Sequence, residues 1–347
     1  MKTKQLFLNE EQRQSSQKAA AEILKNGGTV AVPTETVYGL AASALSDSAV
    51  AKVFTAKGRP QDNPLIVHIS DVKMLFKVAK EIPDVVFRLA EKFWPGPLTL
   101  VLPKGENVCE SVSAGLQTVA VRCPKNETAL ELIKISGLPL AAPSANLSGS
   151  PSPTKASHVV ADLNGKIDAV LMGEDCAVGV ESTVVTLVTH PPRLLRPGAV
   201  TAEQLREFLP DLVIDPAVLK ELESGEQAAS PGMKYKHYAP KKQVFLVEGE
   251  SRAFCDYVNH RENAVALCFE DEAEKITIEK LVYGSSDSAE TLAKNLFDML
   301  RKIDTLEADE AYVHAPEKTG VGLAVYNRLI RAAGFKVISV EPLAPDK

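Results

Sequence analysis

The loop AKGRPQDNP places Lys57 and Arg59 one residue apart in a turn stiffened by Pro60 and Pro64. A pair of cations held that way is a fork for phosphate oxygens. Read alone, it is more simply a pair of solvated loop charges. The sequence has no Walker A loop and no kinase signature, so any ATP chemistry needs another cradle. A second polar cluster, APSANLSGSPSPT, sets Ser144, Asn146, Ser148, Ser150 and Ser152 between prolines, directly after the apolar run LPLAA. Hydroxyls and unpaired backbone N–H groups in such a loop can hold phosphate without adding charge. Ordinary turn chemistry produces the same composition.

Two arginines close apolar runs: Arg122 ends TVAVR, and Arg196 ends LLR just before Pro197 and Gly198. Arginines so placed either snorkel at an edge or wait for a carboxylate or phosphate. His68, in the apolar run LIVHI, reads first as a satisfied core histidine, and Thr36 and Ser182 carry no signal alone. The five cysteines, Cys109, Cys123, Cys176, Cys255 and Cys268, form no CxxC pair. Neither a zinc site nor a disulfide framework follows, and buried free thiols are expected. The six histidines show no HxxxH or HExxH spacing, so the sequence proposes no transition-metal site.

The elements that must hold these residues follow from periodicity. A helix over 15–26 is stopped by Gly27 and Gly28, and a buried strand over 29–32 runs straight into PTETVYGL. A second helix runs from about Asp47 to Lys57 and Gly58. The strand at 65–69 puts Ile66 and His68 on one face, opposite Leu65, Val67 and Ile69. Further strands are expected at 98–102, 118–122, 139–142, 169–172 and 183–188, with helices between several of them. This is an α/β domain, and short neighbouring strands without regular crossovers predict a twisted mixed sheet.

Between Pro210 and Pro240 the pattern lapses into a linker, SGEQAASPGMKYKHYAP. Lys234, Tyr235, Lys236, His237 and Tyr238 crowd its end, which suggests folding back onto something anionic, as a lid would. Beyond it, strands and helices alternate as in a smaller Rossmann-like α/β domain with a mainly parallel sheet. TGVGLA at 319–324 lacks the third glycine and the spacing of a dinucleotide fingerprint. The expected division is 1–210, a linker 211–240 and a C-terminal domain 241–347. Net charge is −6, split as +1 over 1–210 and −7 over 211–347, which argues against non-specific nucleic-acid binding by the whole chain. No apolar run spans a bilayer and the N-terminus MKTKQLFLNEEQRQ is no signal peptide, so a cytoplasmic protein away from membranes is expected.

Taken together and in order, PTETVYGL, KGRP with DNPLIVHI, WPGPLTLVL, VAVRCP, APSANLSG, ESTVV and LLRPGA resemble the signature segments of the YrdC-like family. The linker and the extra domain resemble its long two-domain form, the L-threonylcarbamoyladenylate synthases. The specific motifs span roughly 15–240, and the remainder matches by architecture. The resemblance implies a YrdC-like twisted mixed sheet and synthesis of L-threonylcarbamoyladenylate from L-threonine, bicarbonate or CO2 and ATP. Pyrophosphate leaves, and the product serves threonylcarbamoyladenosine modification at tRNA position 37. It implies a catalytic tetrad of Lys57, Arg59, Ser144 and Asn146. ATP contacts would be Arg59, Asn63, Thr118, Ser144, Ser152, Arg196 and Tyr238; threonine contacts would be Thr36, His68, Arg122, the backbone of Ala142, and Ser182.

The same resemblance implies Mg2+ accompanying ATP, with its ligands unassigned and Glu35 and Glu181 as nearby acids. A downstream threonylcarbamoyl transferase complex is the partner class it allows, and direct tRNA binding is not implied. The carbamate itself attacks phosphorus, so no covalent nucleophile is needed and catalysis is positioning and charge stabilisation. Two other readings compete. One is a double-stranded RNA-binding module, against which the overall acidity counts. The other is a hydrogenase-maturation relative, whose cysteine spacing is absent here.

Overall fold

The computed structural model describes residues 2–220 and 237–341 of the 347. Lys234, Tyr235 and Lys236, and with them most of the segment read as a lid, lie outside the described residues. The chain divides into two units. The first takes the chain up to Val218 except Gly149–Pro151; the second takes Gly149–Pro151 and the chain from His237 onward.

The first unit opens with β1 (Lys4–Phe7), α1 (Arg13–Lys25), β2 (Val30–Val32), β3 (Gly39–Ser43), α2 (Asp47–Lys57) and β4 (Ile66–His68). It continues through α3 (Val72–Val78), α4 (Asp84–Phe93), β5 (Leu98–Pro103), α5 (Glu110–Ser113), β6 (Thr118–Arg122) and α6 (Glu127–Ser136). Then come β7 (Leu140–Ala141), α7 (Ala156–Leu163), β8 (Ala169–Met172), β9 (Thr183–Thr186), β10 (Arg193–Arg196), α8 (Ala202–Arg206) and β11 (Val213–Ile214). The strands form one eleven-stranded sheet in the order β1-β8-β2-β3-β7-β4-β6-β5-β9-β10-β11. The sheet holds parallel pairs such as β4 with β6 and antiparallel ones such as β6 with β5, so it is mixed as expected.

Helix ends follow local chemistry. Ser46 caps α2 by accepting from Ala49 N, and Gly58, at φ 60°, closes it in the left-handed conformation that glycine adopts without strain. That turn sets Lys57 on the last helical position and throws Arg59 into the loop beyond. Asn126 and Gly137 bracket α6 in the same way.

Strand alternation divides the centre of the sheet into two faces. Val67, Val121, Leu100 and Leu102 join the main core together with Leu24, Leu40, Phe54, Leu75 and Leu89 from other strands and the helices. Ile66, Val101, Ala120, Val184, Leu195 and Ala217 form a separate buried cluster. The placement of Ile66 opposite Val67 was legible from the sequence. β1, β3, β10 and β11 were not: β3 is GLAAS, small residues without the β-branched types that mark a strand, and β10 is RLLR, with an arginine at each end.

The second unit comprises β12 (Gln243–Glu248), α9 (Ser251–Asn259), β13 (Ala264–Phe269), β14 (Glu279–Gly284), α10 (Ala289–Ile303), β15 (Glu310–His314), α11 (Gly320–Ala332) and β16 (Val337–Ser339). Its sheet has the order β14-β13-β15-β12-β16, and each described pairing in it is parallel. α10 buries Leu292, Leu296, Phe297, Leu300 and Ile303, the spacing of one helical face. No described helix is long and apolar enough to cross a membrane.

Candidate functional site

Strand register gathers the chemistry of the first unit. Parallel pairing of β4 with β6 sets His68 opposite Arg122, and antiparallel pairing of β6 with β5 sets Arg122 opposite Thr99. Thr99 lies opposite Val184 in β9, and Val184 opposite Arg196 in β10, where the register shifts. Residues in register share a sheet face, so His68, Arg122, Thr99 and Arg196 stand in one line across five strands. The same face is otherwise apolar, carrying Ile66, Ala120, Val101 and Val184.

Arg122 is 3% exposed. Its Nε donates to Gly96 O at 3.2 Å, its Nη1 donates to Thr36 Oγ1 at 2.9 Å, and its Nη2 lies 2.7 Å from Glu35 Oε1. Gly96 is itself tied down, its N–H donating to Cys123 O at 2.8 Å. Thr36 is fixed by its neighbour: the Thr34 hydroxyl donates to Val37 O at 2.7 Å, accepts from the N–H groups of Thr36 and Val37, and lies 2.8 Å from Thr36 Oγ1. One buried hydroxyl therefore organises the turn of PTETVYGL.

Arg196 grips the segment before β9. Its Nε donates to Ser182 O at 2.9 Å and its Nη2 to Ser182 Oγ at 3.1 Å; Ser182 Oγ in turn lies 2.7 Å from Thr99 Oγ1. Gly198 permits the approach, because a Cβ there would sit 2.4 Å from Thr183 N.

The Lys57 and Arg59 fork divides in two. Lys57, 3% exposed, turns inward. Its Nζ donates to Ser144 O at 2.5 Å and Asn146 O at 2.7 Å, with Asn146 Oδ1 at 3.4 Å, so it pins the end of α2 to the APSAN loop. Burial, and next the repulsion of Arg59, push its ammonium well below the usual lysine range. Arg59 stays half-buried, with Nη2 donating to Asn63 O and Pro64 O at 3.3 Å each. Asn63 is buried and its Oδ1 accepts no hydrogen bond among the described residues.

His68 is buried, and burial followed by the field of Arg122 holds its imidazole well below the ordinary histidine value. Ser152 is fully buried and donates to Glu181 Oε1 at 2.5 Å, while Thr118 is half-buried at the start of β6. Ala142 follows β7, its N–H donating to Ile66 O at 2.9 Å. Tyr238 belongs to the second unit, where its ring packs on Phe297 at 5.2 Å between centroids. Burial pushes the thiols of Cys123 and Cys176 up to about 12, which removes both as nucleophiles at neutral pH.

The structure thus joins Thr36, His68, Arg122, Ser182 and Arg196 around one sheet face, and Lys57, Ser144 and Asn146 around one loop. Thr34, Gly96 and Thr99 were missed at the sequence level. Alternation in LTLVL puts Thr99 on the face of Val101, but only the register to β6 and the link to Ser182 give it a role. Among the described residues no group of three His, Cys, Asp or Glu could hold a metal ion. The two nearby acids are engaged, Glu35 with Arg122 and Glu181 with Ser152.

A protein-family model of the Sua5, YciO and YrdC group, described as telomere recombination, matches residues 22–198, and one described as the threonylcarbamoyl-AMP synthase C-terminal domain matches 200–334. The chain is 46% identical over 328 residues to a threonylcarbamoyl-AMP synthase of Pyrococcus abyssi, covering 92% of this chain and 95% of that one. It is 42% identical to a threonylcarbamoyl-AMP synthase of Bacillus subtilis, covering 97% and 100%. The crystal structure of P. abyssi Sua5 complexed with L-threonine superposes with a TM-score of 0.89 at 42% identity, over 98% of this chain and 100% of that one.

Proposed function

This chain belongs to the two-domain threonylcarbamoyl-AMP synthases of the YrdC-like family, and we propose that its reaction runs along the polar row His68, Arg122, Thr99 and Arg196 and the adjoining Lys57 loop. It is an enzyme of tRNA modification that makes threonylcarbamoyladenylate. Its substrates on this reading are L-threonine, bicarbonate or CO2, and ATP, and it releases pyrophosphate.

The observation that carries the assignment of roles is the row itself: two buried arginines and a histidine held in register on an otherwise apolar floor. Buried guanidinium groups in a low-dielectric site bind anions far more strongly than exposed ones do. Arg122, whose Nη2 makes no aligned hydrogen bond among the described residues, takes the threonine carboxylate. Thr36, the neutral imidazole of His68, Ser182 and the backbone of Ala142 complete the amino-acid pocket. Neutral hydroxyl and imidazole groups suit a substrate hydroxyl, which both donates and accepts.

ATP falls to Arg59, Asn63, Thr118, Ser144, Ser152 and Arg196, with Lys57 and Asn146 shaping the loop that receives the phosphates. The carbamate oxygen attacks the α-phosphorus while arginines neutralise the departing pyrophosphate, so the residues position and stabilise charge and form no covalent bond to substrate. Mg2+ would enter as the counter-ion of ATP. The described residues offer it no cage of their own, and no step is assigned to it. Incubation with ATP, labelled bicarbonate and a panel of amino acids tests the reading. Threonine-dependent pyrophosphate and a labelled adenylate are expected; ATP turnover indifferent to threonine would sink it.

A further inference from the structure

Glu35 is the acid of PTETVYGL to which the reaction above gives no role. Its backbone carbonyl accepts from Val178 N at 2.8 Å, and its side chain turns inward, 11% exposed, toward Arg122 Nη2 at 2.7 Å. The approach joins opposite charges without aligning an N–H. Both carboxylate oxygens and Nη2 are buried and make no hydrogen bond among the described residues. Nε and Nη1 of Arg122 are already spent on Gly96 and Thr36.

The 2.7 Å contact compensates the two charges, but it leaves both Glu35 oxygens and Arg122 Nη2 with hydrogen-bonding capacity that no described residue fills, which is costly for buried groups. One kind of ligand relieves both, by bringing a carboxylate oxygen to Nη2 and N–H donors to Glu35 from neighbouring atoms. An α-amino acid carries both groups on one carbon. Net charge argues the same way. Arg122 alone would favour any anion, whereas the Glu35 and Arg122 pair sums to zero and favours a ligand that also sums to zero. Burial keeps His68, Cys123 and Cys176 beside the pair neutral at neutral pH, while Lys125, Glu174 and Asp175, of both signs, line the same cavity as Glu35.

We propose that Glu35 is a specificity-determining residue of the amino-acid pocket, selecting the threonine zwitterion over the corresponding anion that lacks the ammonium group. The proposal rests on the reading of Arg122 as partner of the substrate carboxylate.

Calorimetric titration of the full chain with L-threonine and with 2,3-dihydroxybutyrate, in which a hydroxyl replaces the ammonium, tests it. The unaltered protein should prefer threonine by about a hundredfold, as the loss of a charged hydrogen-bonded group implies. Equal affinities overturn the proposal without any variant. Glu35→Gln, which keeps the shape and removes the charge, should shrink that preference by about tenfold or more, the hydroxy acid gaining while threonine does not. Glu35→Asp, which keeps the charge, should retain most of it. A preference in Glu35→Gln within about twofold of the original overturns the proposal, as does a gain for threonine equal to that of the hydroxy acid. The latter result would make Glu35 a mere occupant of Arg122. An unaltered chain that binds neither ligand would sink the reading of Arg122 instead.

Discussion

At the scale of one residue, His68 occupies a core-like position within the candidate site. It sits on a strand among apolar neighbours, as a satisfied core histidine would, in register with Arg122. Burial and the guanidinium of Arg122 across the ladder hold it well below the ordinary 6.5, so it is a neutral imidazole at neutral pH. The unfolded chain has no such constraint. As pH falls through about 6.5 the unfolded state takes up a proton that the folded state refuses, so this residue's contribution is intact above that value and lost below it. The denaturant midpoint should therefore drop between about pH 7 and pH 5.5, and drop less in His68→Gln. Threonine affinity should stay flat from about pH 6.5 to 8, because the imidazole does not change charge there. An NMR titration placing His68 at or above 6.5 would refute both expectations.

At the scale of the element, the site is made by register, and register is what the sequence shows least. The loops were legible as loops, since proline and glycine mark where the chain turns, but Lys57, Arg59, Ser144 and Asn146 read alone as ordinary loop charges and turn residues. β6 was legible as a strand ending in Arg122. That Arg122 would stand between His68 and Thr99 was not, because pairing β6 with both β4 and β5 is a choice made by the whole sheet. The cradle of Arg196 is a second such case. LLRPGA shows a glycine after a proline, which reads as a turn, whereas in the fold Gly198 lets β10 close onto the backbone of Ser182 and Thr183. Gly198→Ala would drive a methyl group into that backbone, which cannot rotate away. The expected cost is about 1–3 kcal/mol of stability. The larger functional effect should be on ATP, since the bonds from Arg196 to Ser182 depend on that approach. Equilibrium unfolding and ATP titration check both, and a Gly198→Ala chain with ordinary ATP affinity would show that the loop yields elsewhere.

At the scale of the molecule, each unit carries its own sheet and its own core. The second unit holds a buried cluster of Val247, Phe254, Cys255, Val258, Ala264, Ala266, Cys268, Ile276 and Tyr312. Above it His314 is fixed from all sides. Its Nδ1 lies 2.6 Å from Glu272 Oε1 and its Nε2 lies 2.9 Å from Gly249 O, while Phe254 stacks on its ring at 4.4 Å and Phe269 lies at 4.7 Å. The other oxygen of Glu272 accepts from Phe269 N at 2.9 Å, so one fully buried carboxylate ties the ends of β13 and β15 together. Removing Glu272 takes the acceptor from Phe269 N and the partner from the His314 ring, and a buried polar group left unsatisfied costs about 1–3 kcal/mol. Glu272→Ala should therefore lower the melting of the second unit specifically. On the proposed reading the threonine pocket draws on first-unit residues, Thr36, His68, Arg122, Ala142 and Ser182. Scanning calorimetry of this variant should show two separated transitions, of which threonine raises only the upper one. Threonine affinity at 25 °C should stay within about twofold of the unaltered chain. A single transition, or affinity lost in parallel with stability, would mean that the two cores fold as one cooperative whole and that the pocket depends on the second.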